Sequence, residues 1–308
     1  MPRQRGSTVS DHDALEIKAG HSLQSSVMHL DHGGCRIHLI DTPGALDFIG
    51  QSLPALEAVE TAAIVINAAS PTALNGAVKE ACDAGITVVS FDGVVTEPCA
   101  WRVAVDFKKM GANEIAYLEK RLPEGGNLLE IRGLAGVSVD DQIHAGIEEA
   151  VKANPKFKIV GSVNGDWAQD VAQKAVAGIL PSLPEIAAVV TQGGDGYGAA
   201  QAFAAAGRPT PIIVMGNRQD ELKWWGEQRE KNGYETVSTS IAPGVSTLAF
   251  WVAQQILDGK DVPKDLTVPF LSVTPETLDQ ALKDTPEGGV TNVDYTLDDA
   301  QKVIAESK

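Results

Sequence analysis

Six short runs carry residue types that hold a polyhydroxylated small molecule, and each follows an apolar segment. They are Asp92-Gly93, Arg132-Gly133 on to Asp141, Asn164-Gly165-Asp166-Trp167, Gln192 to Asp195, Gly216-Asn217-Arg218 and Ala242-Pro243. Hydroxyl groups are matched by Asp, Asn, Gln and Arg, an indole gives the apolar face of a sugar ring a surface to stack on, and glycines let the backbone approach closely. Each run also has a plainer reading. An Asp after a strand caps the next helix, a Trp fills a core, Gly193-Gly194-Asp195-Gly196 makes a tight turn, and Asn217 satisfies a loop carbonyl. Their recurrence at equivalent places favours binding, with Asp92, Asp141, Trp167, Gln192, Asp195, Asn217 and Arg218 as the candidate ligand-binding set. The sequence motifs of acyl transfer and zinc hydrolysis, GxSxG and HExxH, do not occur, so the chain is expected to be no enzyme and to need neither metal nor cofactor.

The elements that must position these residues follow from the pattern. From about Thr61 onward, short apolar runs alternate with amphipathic ones, the habit of β/α units around a parallel sheet. Strands are predicted at 62–67, 86–91, 127–131, 158–163, 186–191, 211–215 and 236–241, with helices at 72–84, 108–121, 139–154, 169–180, 198–206 and 221–231. Gly85, Gly125 and Gly207 fall where a left-handed helix cap is wanted. In such sheets a ligand lies beyond the carboxyl ends of the strands, where the six runs sit. Before this region, a hairpin is predicted from 27–30, His32-Gly33-Gly34 and 36–40, followed by a helix at 46–59. Strand 36–40 is expected to pair parallel with strand 62–67 through a right-handed crossover.

Composition bounds the function. The 308 residues are enough for about two domains, and 44% hydrophobic with 21% charged residues is a globular composition. With 25 Lys and Arg against 41 Asp and Glu, the formal charge of -16 repels phosphate backbones, so no nucleic-acid partner is expected. Five of the six histidines (His12, His21, His29, His32 and His38) precede the β/α region, without metal-ligand spacing. Cys35, Cys82 and Cys99 are odd in number and show no CxxC, so neither a zinc knuckle nor a disulfide framework is expected. Residues 1–6 are basic, but 7–17 are polar where an export signal needs an apolar stretch, and no run is apolar enough to span a membrane.

From about Ala69 onward the chain resembles the periplasmic sugar-binding proteins of the ribose-binding type, the substrate-capturing subunits of ABC importers. The resemblance rests on Ser70-Pro71-Thr72-Ala73-Leu74, the run from Ala84 to Asp92, Gly133-Leu134-Ala135-Gly136, Gly165-Asp166-Trp167 and Val214-Met215-Gly216-Asn217. It implies an α/β, two-lobed type I periplasmic-binding-protein fold with parallel sheets, closing on one sugar or polyol, acting as a monomer, with a permease as partner and the periplasm as location. The polar start of this chain would leave it cytoplasmic as written. By the same resemblance Asp92 is the hydroxyl-binding aspartate of the first lobe and Trp167 the stacking aromatic of the second. Asn217 stands where many members have an aspartate, Asp141 near the place of an arginine, and Pro243 where ribose binders have a glutamine, which argues against ribose itself. Trp101, Trp224, Trp225 and Trp251 belong either to the core or to the cleft rim, and Trp224 and Trp225 follow the Asn217 loop by only seven residues.

Residues 6–69 resemble an elongation factor G-like translational GTPase. The motif is Asp41-Thr42-Pro43-Gly44 after the apolar strand 37–40, with Asp47-Phe48 beyond. In such GTPases this loop meets the γ-phosphate and magnesium. The phosphate-cradling GxxxxGK[ST] and the guanine-reading NKxD are absent from the sequence, the nearest string being Asp258-Gly259-Lys260-Asp261. GTP binding is therefore the lesser alternative. The expected layout is a GTPase-like piece, 1–61, capping an incomplete first lobe (62–105 with 240–275), a second lobe (106–239), and a tail with a last helix (276–308).

Overall fold

The structure, a computed structural model, describes residues 26–32, 35–41 and 62–308. It divides into two units, Met1–Ala62 and Ala63–Lys308.

In the first unit, β1 (Ser26–His32) and β2 (Cys35–Asp41) form an antiparallel hairpin with Ser26 opposite Asp41 and His32 opposite Cys35. The exposed Arg36 and Asp31, directly opposed, form an ion pair of 3.0 Å. The predicted helix at 46–59 and the residues Thr42, Pro43 and Gly44 lie outside the described residues.

The second unit holds two parallel sheets. In chain order its elements are β3 (Ala63–Ile66), α1 (Asn75–Asp83), β4 (Thr87–Asp92), β5 (Trp101–Ala104), α2 (Phe107–Arg121), β6 (Gly126–Arg132), α3 (Ser138–Ala153), β7 (Phe157–Asn164), α4 (Gln169–Ile179), β8 (Ala188–Val190), α5 (Gly196–Ala205), β9 (Ile212–Ile213), α6 (Gln219–Asn232), β10 (Ser238–Ser240), α7 (Val245–Leu257), β11 (Asp265–Thr267), β12 (Leu271–Val273), α8 (Leu278–Asp284) and α9 (Leu297–Glu306). The first lobe's sheet runs β11-β5-β4-β3, the second's β7-β6-β8-β9, both all-parallel. A short antiparallel pair, β10 with β12, joins the segments that pass between lobes. Among the described residues, the pairings do not include the expected parallel one of 36–40 with 62–67. β2 pairs with β1, and β3 pairs with β4 at the end of its sheet among the described residues. The hairpin satisfies β2 locally, with no long crossover to close.

Alternation along the strands sorts the core into layers. Leu128 of β6 joins Ile143, Ile147, Ile115 and Leu118 under α2 and α3, in a core that continues through Val89 and Val103 to Leu248 and Val252 of α7. Its neighbours Leu129 and Ile131 face the opposite way, onto Val176, Phe203, Met215 and Trp225. The outer face of the first sheet carries only a small cluster of Val88, Val78, Val95, Ala68 and Ala100. Helices α2 and α3 touch backbone to backbone, because a Cβ at Gly146 would stand 1.9 Å from the Lys108 carbonyl oxygen. Elements that pattern alone did not mark have clear reasons. β11 and β12 are three residues each, too short for a period, and α7 (VSTLAFWVAQQIL) is apolar on most sides and so shows no stripe.

Cys82, near the end of α1, and Cys99, before β5, form a disulfide with Cα atoms 6.3 Å apart. This corrects the expectation drawn from cysteine spacing, since the pairing comes from tertiary proximity that an odd count and a separation of 17 residues conceal.

Candidate functional site

The carboxyl ends of both sheets converge, and the strand-end residues lie there. In the first lobe, Asn67 follows β3 and Asp92 ends β4. The Asn67 amide donates to Asp92 Oδ2 at 3.0 Å and accepts from the Gly93 N–H at 3.1 Å, while the Gly93 carbonyl accepts from Ala68 N at 2.7 Å. Asp92 is a non-glycine residue with φ of 58°, a left-handed conformation that needs support. Its other oxygen, Oδ1, is buried without a hydrogen-bond partner. Burial pushes the Asp92 carboxyl above the ordinary carboxylate range, and the Asn67 hydrogen bond works against that rise.

In the second lobe, Arg132 at the end of β6 grips Asp140 through Nε (3.1 Å) and Nη2 (2.6 Å), and Nη2 also reaches Asp141 at 3.0 Å. The Asp140 side chain is only 1% exposed, that of Asp141 68%. Asp140 Oδ1 also accepts from Gly133 N at 3.0 Å and from Gln192 Nε2 at 2.7 Å. Gln192 Nε2 donates to the Asp140 carbonyl as well, at 3.1 Å. With two Asp140 oxygens on one side, the amide nitrogen must point there. Gln192 Oε1 therefore points away, buried and without a partner.

Asp166 and Trp167, after β7, are consecutive left-handed residues with φ of 54° and 55°. The turn lays the half-buried indole on Gly133, where an added Cβ would stand 2.2 Å from the ring. The ring's own backbone is held too, since Arg218 Nη2 donates to the Trp167 carbonyl at 3.1 Å. Asn164 Nδ2 donates to the Gly133 carbonyl at 2.7 Å, fixing the loop from the other side.

Not every candidate reaches this group with a free polar atom. Asn217 donates to the Leu271 carbonyl at 2.6 Å and accepts from the Ser238 hydroxyl, so it ties β9's exit to β10 and β12. Asp195 is fully buried, close beneath Gly165, and neither of its carboxylate oxygens has a hydrogen-bond partner. Burial, then Glu221, pushes its carboxyl well above the usual range, while Arg218 opposes the rise. Glu221 is buried against the N–H groups of Gly196 (2.9 Å), Gly216 (3.1 Å) and Arg218 (3.3 Å). Asn67, Arg132, Asp140 and Asn164 were absent from the candidate set, although the strand-end rule that selected Asp92 applies to Asn67, Arg132 and Asn164. Of the two readings of the tandem tryptophans, core or rim, the core one holds. Trp225 is 0% exposed inside the second-lobe core, and Trp224 packs edge-on to Tyr234 at 5.2 Å between centroids. Both sit inside α6, where helix periodicity turns them inward, and not after a strand.

One bond crosses between the lobes here. Ser138 N, in the first turn of α3, donates to the Ala69 carbonyl just after β3 at 3.0 Å. The arrangement is a cleft lined by acceptors, amides and one ring, with no nucleophile–base pair among the described residues that line it. Among the described residues no group of three potential ligands could hold a metal ion, and no helix is long and apolar enough to cross a membrane.

Comparison with known proteins accords with this geometry. Residues 54–261 match the family model for a periplasmic binding protein domain, and residues 2–94 match the model for the elongation factor Tu GTP binding domain. The chain is 27% identical over 227 residues to a xylitol-binding protein of Mycolicibacterium smegmatis, covering 72% of this chain and 63% of that protein. It is 26% identical over 205 residues to the ribose import binding protein of Salmonella typhimurium, covering 66% and 68%. The solved structure of an ABC transporter solute binding protein from Thermobispora bispora superposes with a TM-score of 0.79 and 30% identity, over 86% of this chain and 81% of that one. The GTPase likeness is short: 39% identity over 61 residues to peptide chain release factor 3 of Symbiobacterium thermophilum, 20% of this chain and 12% of that protein. With two parallel sheets, strand-end residues at their meeting edge and a family match across both lobes, the chain belongs to the periplasmic binding protein domain family, ribose-binding type.

Proposed function

We propose that the chain is the solute-binding component of an ABC-type importer, and that it holds a monosaccharide or polyol between its lobes without chemical change. The observation that carries this is the pairing of a pinned ring with polar strand ends: Trp167 is pressed onto Gly133, Gln192 is held on the same Asp140 that holds Gly133, and Asp92 ends a strand of the facing lobe. A sugar offers an apolar ring face and a rim of hydroxyls, which is the complement of that set. Arg218 contributes by fixing the Trp167 backbone, and Asp141 by sharing Arg132 with Asp140. The partner is the importer's membrane permease. The location is outside the cytoplasm, where the Cys82–Cys99 disulfide is maintained.

The test is a thermal-shift screen of the full chain against pentoses, hexoses and polyols, with GTP and magnesium in the same plate. A ligand at 100 times its Kd adds about 2.7 kcal/mol, worth roughly 2 to 4 °C per kcal/mol for a domain of this size. A carbohydrate shift that Trp167→Ala abolishes, with none from GTP, is the expected result. A shift with GTP alone overturns it and favours the GTPase reading, for which the match over residues 2–94 is the one supporting observation.

A further inference from the structure

The cleft has a one-sided hydrogen-bond balance. Its buried side-chain atoms without partners, Asp92 Oδ1, Gln192 Oε1 and, deeper beneath Gly165, both carboxylate oxygens of Asp195, are all acceptors. Most of the side-chain donors around them already have protein acceptors. Asn67 Nδ2 is on Asp92, Arg132 Nε and Nη2 are on Asp140 and Asp141, Asn164 Nδ2 is on Gly133, Gln192 Nε2 is on Asp140 and Arg218 Nη2 is on Trp167. A buried acceptor without a donor is a deficit that a bound molecule removes. Gln192 is 5% exposed, so its unpartnered oxygen belongs to the built interior and not to a solvated rim.

Asp92 Oδ1 and Gln192 Oε1 stand on opposite lobes but are linked. Asn67, which holds Asp92, is two residues from Ala69, whose carbonyl binds Ser138 N, two residues before the Asp140 that holds Gln192. The charges point the same way. Arg132, the cation on the second-lobe wall, has two carboxylates as partners, Asp140 at 2.6 Å and Asp141 at 3.0 Å, so it offers an anion no uncommitted charge. Arg218 lies beside the buried Asp195, whose carboxyl feels its charge. A ligand carboxylate or phosphate, which only accepts, meets acceptors, whereas a ligand ammonium meets them with three donors and a positive charge.

Resting on the carbohydrate-binding reading, we infer that this cleft selects its ligand by donors: it prefers an amino sugar to the matching neutral sugar, and it rejects the matching uronic acid. Asp92 and Gln192 are the residues that set the preference. The ammonium docks against Asp92 Oδ1, and hydroxyl or ammonium hydrogens reach Gln192 Oε1.

Titration calorimetry on the full chain near neutral pH tests this with two matched sets: glucose, glucosamine and glucuronate, and galactose, galactosamine and galacturonate. A charge-assisted hydrogen bond in place of a neutral one is expected to tighten the amino sugar about tenfold over its neutral parent, with no measurable heat from the uronate. Asp92→Asn turns the unpartnered acceptor into a donor. It should bring amino and neutral sugars to parity while changing the neutral sugar less than the amino sugar, and an unchanged circular-dichroism spectrum with a cooperative melt shows that the variant is folded. A uronate that binds as well as its parent, an amino sugar weaker than its parent, or a preference that survives Asp92→Asn overturns the inference and leaves the carbohydrate reading standing. So does binding of pentoses or polyols with neither hexose set recognised. No heat or thermal shift from any carbohydrate overturns both.

Discussion

Arg102 in the first lobe and Arg132 in the second each grip an aspartate with both ends of the guanidinium fork, yet the two pairs do different work. The partner of Arg102, Asp265, is 71% exposed and joins β5 to β11, while Arg102 itself is 17% exposed and also donates to the Glu97 and Ala100 carbonyls. The partner of Arg132, Asp140, is 1% exposed and also carries Gly133 and Gln192. A carboxylate left in water when its partner is removed costs little, whereas a buried one is left as an uncompensated charge. The lobes differ in the same sense as wholes. The second is apolar on both faces of its sheet and keeps its polar groups in a connected network, while the first has one small outer cluster, an edge strand whose Val65 is 37% exposed, and a disulfide. Closeness of a pair in a structure says little about its worth until the burial of both partners is known.

The sharpest way to break the comparison is to remove the two arginines in turn. Arg132→Met is expected to cost about 3–5 kcal/mol of stability, because Asp140 stays buried without its countercharge. Guanidinium melts of the two variants side by side measure it, and similar losses would end the contrast. Next comes the disulfide. Reducing Cys82–Cys99, which spans 17 residues, is expected to lower stability by about 3 kcal/mol, seen as a lower Tm in reductant and absent in a Cys82→Ala, Cys99→Ala variant.

A third test reads the buried acids of the second lobe. Burial raises the carboxyls of Glu114, Asp195 and Glu221 above their ordinary values, in each case as the leading cause. A folded-state pKa above the unfolded one means the folded chain takes up protons first. Stability therefore grows as pH falls through the raised values and is lost as pH rises through them. Asp265 and Asp299 act in the opposite sense, their carboxyls lowered by hydrogen bonds from Arg102 and Thr296. Their contribution is lost only in stronger acid. Tm is thus expected to be higher at about pH 5.5 than at about pH 8, and Glu114→Gln, which keeps an acceptor for Thr191 N, should flatten the difference. A Tm that climbs steadily with pH would refute this. The smallest effect is Arg102→Met, about 0–1 kcal/mol, the baseline against which the Arg132 loss is judged.

Much of this was legible in the residues. The run TVVSFD is a strand buried on both faces, with Val88, Val89 and Ser90 in succession inside, and its last residue is Asp92, so the strand-end rule put a carboxylate at the cleft. Gly85 and Gly207 each follow a helix with positive φ, as their positions predicted. What stayed hidden depends on contacts between distant segments. Nothing local distinguishes Asp140, the buried partner of Arg132, from Asp141, which stands mostly in water. Nothing local shows that Asn217 is occupied by Ser238 and Leu271, residues that reach it only once β10 and β12 pair. Trp167 and Trp225 are the same residue type, and only the left-handed turn after β7 sends one ring to the cleft while helix α6 sends the other to the core.

The bond between Ser138 N and the Ala69 carbonyl has a consequence for affinity. The first N–H groups of a helix have no partner within it, so for α3 the missing acceptor comes from the other lobe. Drawing the lobes apart must break that bond. At about 1 kcal/mol it multiplies the ratio of shut to parted chains about fivefold, whatever occupies the cleft. Part of the ordering that a ligand would otherwise have to bring about is thus already done by the backbone. Because proline is well tolerated at the first position of a helix, Ser138→Pro removes that single N–H and leaves α3 intact, which isolates the share of binding strength that comes from the protein holding itself closed.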